Sequence, residues 1–96
     1  MTVEYIRYRI DAGQQPAFLE AIRQANQLLA AAPDCLRYEL GHCEEDQELF
    51  IWRIEWTSVE RHLQGFRKSA EFAEFFQLVK PFYTSIQEMN HYKISL

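Results

Sequence analysis

Glycine is scarce in this chain, with three residues in 96 and none of them clustered. That excludes the Gly-rich loop that cradles nucleotide phosphates, and neither a G-x-S-x-G elbow nor a Cys-x-x-Cys pair occurs. Cysteine is almost as rare. Cys35 and Cys43, if both lie on one strand, stand about 26 Å apart when extended, too far for a disulfide unless the strand turns back. Two cysteines in an intracellular chain are expected to stay reduced. Clustered positive charge is missing too: the net charge is −4, and no Lys/Arg run exceeds Arg67-Lys68. A nucleic-acid partner is therefore not expected. No apolar run approaches the length needed to cross a bilayer. The opening MTVEYIRYRI reads as a strand with early charges, not a signal peptide, so no membrane partner and a cytoplasmic location are expected. No His-x-His or His-x-x-x-His pair holds two ligands on one element, and no metal is expected.

What is present is apolar and aromatic. Hydrophobic residues make up 48% of the chain and aromatic residues 15%, against 25% charged. That is the composition of a folded globular chain, and the length suits one domain spanning residues 1–96. The aromatic share fits a pocket lined by flat rings, and equally a core that is simply aromatic.

The centre of the pattern is Leu49 to Phe66. Phe50, Trp52, Ile54 and Trp56 alternate with Ile51, Arg53 and Glu55, the period-2 signature of a strand with one apolar face. Thr57 and Ser58 offer N-caps for a short helix, and Thr57-x-x-Glu60 has capping-box spacing. On that helix Val59, His62, Leu63 and Phe66 share one face, which would deliver His62 to the apolar side of the sheet.

Val3 to Ile10 forms a first strand, with Ile6, Tyr8 and Ile10 inward and Tyr5, Arg7 and Arg9 outward. Pro16 suits a first helical turn, and Phe18, Ile22, Ala25 and Leu29 make a helical stripe that ends before Pro33. Leu36, Tyr38, Leu40 and His42 alternate as a second strand, joined to the tryptophan strand by the acidic turn Glu44–Gln47. Ser69 would cap a third helix with Phe72, Phe75, Phe76 and Val79 inward, ended or kinked by Pro81. Glu88 to Leu96 would be the last strand, with Asn90, Tyr92, Ile94 and Leu96 on its inner face. The order β-α-β-β-α-α-β is that of an α+β, ferredoxin-like split βαβ fold, a four-stranded antiparallel sheet with helices on one face. The other face would carry Arg7, Arg9, Arg37, Glu39, Arg53, Glu55 and Lys93, together with Tyr5, Ile51 and Met89. Such a half-apolar face is either solvated or a dimer surface.

His62 is the one ionisable group this pattern sets on an apolar face. It is either a proton carrier or a core histidine hydrogen-bonded to a carbonyl or a tyrosine. Trp52 and Trp56 are either core or ligand platform. With Tyr38, Tyr92, and Phe72 or Phe76 they could line a mostly apolar cavity with a few polar tips. Cys35 and Cys43 fall on the charged side by parity.

The run FIWRIEWTSVERHLQGFRKSAEFAEFFQLVKPF resembles the antibiotic biosynthesis monooxygenase family. The residues that carry the likeness are Glu55-Trp56, Ser58, His62-Leu63, Phe72, Phe76 and Pro81. The resemblance implies a homodimer, an α/β barrel shared between two sheets. It also implies oxidation of a quinol- or anthrone-like aromatic by dioxygen without a cofactor. His62 would be the base or orienting group, and Trp52, Trp56 and Tyr38 would hold the ring. The alternative is a non-catalytic dimer of the same fold that binds or senses a small molecule. Haem-degrading relatives carry a strand-one Asn, a helical Trp and a later His. Residues 1–10 have no Asn, and the other two positions fall at His62 and near Phe76, which argues against haem. Isomerases of phosphorylated signals would need a cationic clamp, which the apolar face is not expected to offer.

Overall fold

A computed structural model describes residues 1–96. The strands are β1 (Thr2–Arg9), β2 (Cys35–His42), β3 (Leu49–Trp56) and β4 (Ile86–Lys93), and the helices are α1 (Gln15–Ala30), α2 (Val59–Gln64) and α3 (Glu71–Val79). Short 3₁₀ segments fill Ala12–Gln14, Phe66–Lys68 and Lys80–Ser85. All four strands pair antiparallel in the order β2-β3-β1-β4. This is the expected ferredoxin-like topology. No helix is long and apolar enough to cross a membrane.

The helices lie on the face of Ile6, Tyr8, Phe50, Trp52, Ile54 and Trp56, all of them buried. Phe18 of α1 is fully buried at the hub, with its ring 4.9 Å from Tyr8, 5.2 Å from Phe50 and 5.3 Å from Phe82. Ile22, Ala25 and Leu29 continue that stripe into the same core. The outer face is charged and laced by pairs. Arg53 reaches Glu39 at 3.3 Å and Glu55 at 3.5 Å, and Arg37 reaches Glu39 at 2.8 Å.

Two register shifts correct the strand parities. Arg7 pairs with Glu88 but Tyr8 with Ile86, so Gln87 is an extra residue in β4. A bulge of one residue swaps the two faces beyond it. Met89 and His91 therefore face inward opposite Ile6 and Glu4, while Asn90 and Tyr92 face outward. Ile94 and Leu96 lie beyond the strand and are exposed, and Lys93 pairs with Thr2 at its end. In β2, Cys35 pairs with Trp56 and Arg37 with Glu55. Leu36 is thus thrown outward, 55% exposed, and Cys35 packs against the core instead of the charged side. Both cysteines are free thiols, Cys35 at the start of β2 and Cys43 just past its end.

Ser58 caps α2 by accepting from the Arg61 N–H at 3.1 Å, while the Thr57 hydroxyl donates to Asp34. The Ser69 hydroxyl donates back to the Phe66 carbonyl and does not cap α3. Pro81 sits in the 3₁₀ turn that follows α3 and ends it. Gly65 closes α2 where there is no room for a side chain. A Cβ there would stand 2.5 Å from the Arg61 carbonyl oxygen and 3.1 Å from Asp34 Oδ2. Gly65→Ala is expected to lower stability by about 1–3 kcal/mol through this overpacking, which urea unfolding would measure.

Candidate functional site

A cavity of about 260 Å³ opens between the sheet and α2–α3. Its floor is strand-borne: Glu4, Ile6 and Tyr8 from β1, Trp52, Ile54 and Trp56 from β3, and Ile86 and Met89 from β4. Its roof is Phe72, Phe75, Phe76 and Val79 of α3, with the buried His62 and Phe66 also in the wall and the exposed Arg67 and Tyr83 at the rim. Of the sequence-derived candidates, His62, Trp52, Trp56, Phe72 and Phe76 meet here. Tyr38 does not, because β2 is the edge strand beside α1, whereas the cavity lies over β3, β1 and β4. Tyr92 does not either. The β4 bulge turns it to the outer face, where its ring meets Tyr5 edge-on and its hydroxyl donates to Glu88. Arg67 corrects the expectation of a wall without a cation.

The rings are held in place. Trp52 Nε1 donates to Asn26 Oδ1 at 3.0 Å, and its ring stacks on Phe75 at 5.7 Å. Trp56 Nε1 donates to Glu4 Oε1 at 3.2 Å, and its ring lies parallel to His62 at 4.4 Å. Indole N–H groups buried without a partner would be costly. The same bonds therefore satisfy the donors and lock the walls.

Glu4 is the group that sequence reasoning misses. It is 3% exposed, on the floor of an aromatic cavity. Burial pushes its carboxyl up to about 7, against smaller lowering by the Trp56 hydrogen bond and by Arg67. His62, 4% exposed, is pushed down to about 4 by burial first, then by His91 and Arg67. Although His62 Nε2 is 3.6 Å from Glu4 Oε1, both shifts favour the neutral forms, as expected when desolvation outweighs pairing. His62 Nδ1 is 2.8 Å from His91 Nε2, and burial lowers His91 as well. One donor atom from each of Glu4, His62 and His91 falls within 4.8 Å of the others. Burial also pushes the Tyr8 hydroxyl well above its ordinary range, so it stays protonated. The Cys35 thiol is raised to about 11 by burial and is inert at neutral pH.

A signal for Glu4 is present in the sequence: an even-numbered carboxylate on a strand whose even side, Ile6, Tyr8 and Ile10, is apolar. His91 has no such signal, because the bulge reverses its parity.

The chain matches the model of the antibiotic biosynthesis monooxygenase family over residues 1–78. It is 29% identical over 93 residues to the uncharacterised protein YczJ of Bacillus subtilis (strain 168), covering 97% of this chain and 98% of YczJ. Among solved structures, a Bordetella bronchiseptica protein that carries the same family name superposes with a TM-score of 0.82 at 24% identity, over 99% of this chain and 97% of that one. SnoaB of Streptomyces nogalater, a cofactor-independent oxygenase solved as a point mutant, superposes at 0.78 with 11% identity, over 99% and 94%. At these identities the two structures share the fold.

The two shifts act oppositely on stability. Between pH 4.5 and about 7 folded Glu4 holds a proton that the unfolded chain releases, so its contribution falls as pH rises. Between about 4 and 6.5 unfolded His62 holds a proton that the folded form lacks, so its contribution rises. Glu4→Gln removes only the first effect. The variant should gain on the parent as pH rises from 4.5 to 8, by about 3 kcal/mol at most, as measured by denaturant midpoints along a pH series.

Proposed function

The chain belongs to the antibiotic biosynthesis monooxygenase family, and from that premise we propose that it is a cofactor-independent monooxygenase acting on a small aromatic substrate of the quinol or anthrone kind. The observation that carries this reading is Glu4, a buried carboxyl raised to about 7, hydrogen-bonded to Trp56 and beside His62 on the floor of an aromatic cavity. A base tuned to the working pH is matched to removing a proton from a phenol or from a carbon beside a carbonyl. His62, held near 4, is the weaker base of the two, so it serves as proton carrier and orienting group instead of the first acceptor.

In the reaction the CH₂ of an anthrone, or of a quinol in its keto form, and dioxygen become a carbonyl and water. Glu4 takes the first proton, and the resulting carbanion-like anion supplies the electrons that reduce dioxygen. One oxygen atom stays on carbon and the other leaves as water with the two hydrogens. The protein's part is to create the anion, hold the ring flat between the floor and the phenylalanines of α3, and keep bulk water away. Trp52, Trp56, Phe72 and Phe76 are the ring-holding residues in this reading. Arg67 at the rim offers a positive charge to a phenolate oxygen. A volume of about 260 Å³ is on the scale of a small flat aromatic of two or three fused rings.

The same reading takes the chain as a homodimer joined through the outer sheet face. Tyr5 and Ile51 leave apolar surface there among the Arg53–Glu39–Glu55 pairs. Light scattering should then give twice the 11.5 kDa chain mass, and Ile51→Glu should shift it toward a single chain.

Oxygen uptake by the metal-free protein with naphthohydroquinols and anthrones tests the activity. Uptake above autoxidation should drop by about 10²–10⁴-fold in Glu4→Gln and also fall in His62→Ala. Saturable quenching of tryptophan fluorescence with uptake no faster than autoxidation would contradict the oxygenase and assign a ligand-binding role.

A further inference from the structure

Glu4 and His91 are register partners on the inner face of β1 and β4, and α2 lowers His62 onto them. His62 turns Nε2 toward Glu4, at 3.6 Å, and Nδ1 toward His91, at 2.8 Å. The two nitrogens sit on different edges of one ring. The three groups therefore stand in series, unlike a chelating set, whose donors converge on one point about 2.0–2.2 Å from each. Exposure rises along the series, from 3% at Glu4 and 4% at His62 to half-buried at His91. We propose that Glu4, His62 and His91 form a proton wire that carries the proton taken up by Glu4 from the cavity floor to solvent at the β4 edge. The wire rests on the oxygenase reading only for the origin of that proton.

The step balances without a charged imidazole. In the first state Glu4 is a carboxylic acid that closes the 3.6 Å gap to donate its O–H to His62 Nε2, His62 carries its proton on Nδ1, and His91 carries its own on Nδ1. The Glu4 proton passes to His62 Nε2, the His62 Nδ1 proton to His91 Nε2, and the His91 Nδ1 proton to water. Glu4 ends as a carboxylate and both rings end neutral in the opposite tautomer. Neutral rings suit this cavity, since burial holds both histidines below their ordinary range. The carboxylate that results keeps the Trp56 N–H donor and the nearby Arg67 charge. The other titratable groups near Glu4 are the Tyr8 hydroxyl and the Cys35 thiol, with Tyr83 elsewhere in the cavity lining. Tyr8 and Cys35 are raised by burial and by Glu4 and do not compete for the proton.

Tautomers can be read in the resting protein, so the wire is tested apart from any turnover. With ¹⁵N-histidine labelling, His62 should change from Nδ1–H to Nε2–H as Glu4 ionises near pH 7, without an imidazolium signal. In Glu4→Gln it should keep one tautomer throughout. A single His62 tautomer across the range of about pH 6–8 in the parent, or an imidazolium forming there, would overturn the wire. In turnover, His91→Gln should lower kcat by about tenfold with KM unchanged, and added imidazole buffer should restore it. An unchanged kcat in His91→Gln would overturn the wire and leave the oxygenase standing. Absence of turnover in the parent would overturn the oxygenase and leave the wire to the tautomer result.

Discussion

A carboxyl group with nowhere to hydrate governs this molecule. Glu4 lies on a central strand beneath an aromatic roof, and its ionised form has lost most of the water that would solvate it. The fold answers by keeping it protonated over most of the acid range and by giving it a single strong donor, Trp56 Nε1. That bond turns the indole so that its face lies under His62. The imidazole is then sandwiched between Trp56, Glu4 and His91. The end of β3 through Trp56, the short helix α2 through His62 and the edge strand β4 through His91 all meet at one acidic residue on β1.

The cavity persists because its walls are tied down by polar atoms and do not simply collapse. An apolar space of this size would ordinarily fill by rotation of a neighbouring ring. Trp52 cannot rotate without losing Asn26, and Trp56 cannot without losing Glu4. Phe72 and Phe75 brace each other and Phe66 on the roof. Phe76, at 36% exposure, stands at the mouth, where movement of one ring would admit a flat ligand.

The fold is largely legible in the sequence because binary patterning and caps agree across levels. Phe50, Trp52, Ile54 and Trp56 alternate without interruption, and β3 has no bulge against β1. The edge strands are less legible. Each carries one extra residue, Leu36 in β2 and Gln87 in β4, and a bulge leaves no trace in an alternation pattern. Alternation alone therefore sets Tyr92 inward and His91 outward, the reverse of the structure. Tyr38 is misplaced for a different reason. Its parity is right, but which strands lie under the cavity depends on sheet order, which periodicity does not encode. Glu4 shows a third case. Its position on the apolar side can be read, but a single carboxylate near a strand end is easily taken as frayed surface until pairing with His91 and Trp56 is seen.

The proposed chemistry requires Glu4 to titrate near neutrality inside the cavity. Infrared difference spectroscopy on either side of neutrality, on the parent and on Glu4→Gln, measures this directly. A protonated carboxyl band that disappears with a midpoint near pH 7 in the parent, and is missing from the variant, is the predicted result. A carboxylate already ionised at about pH 5, as an ordinary glutamate would be, would contradict it and would return Glu4 to the role of a structural acceptor for Trp56.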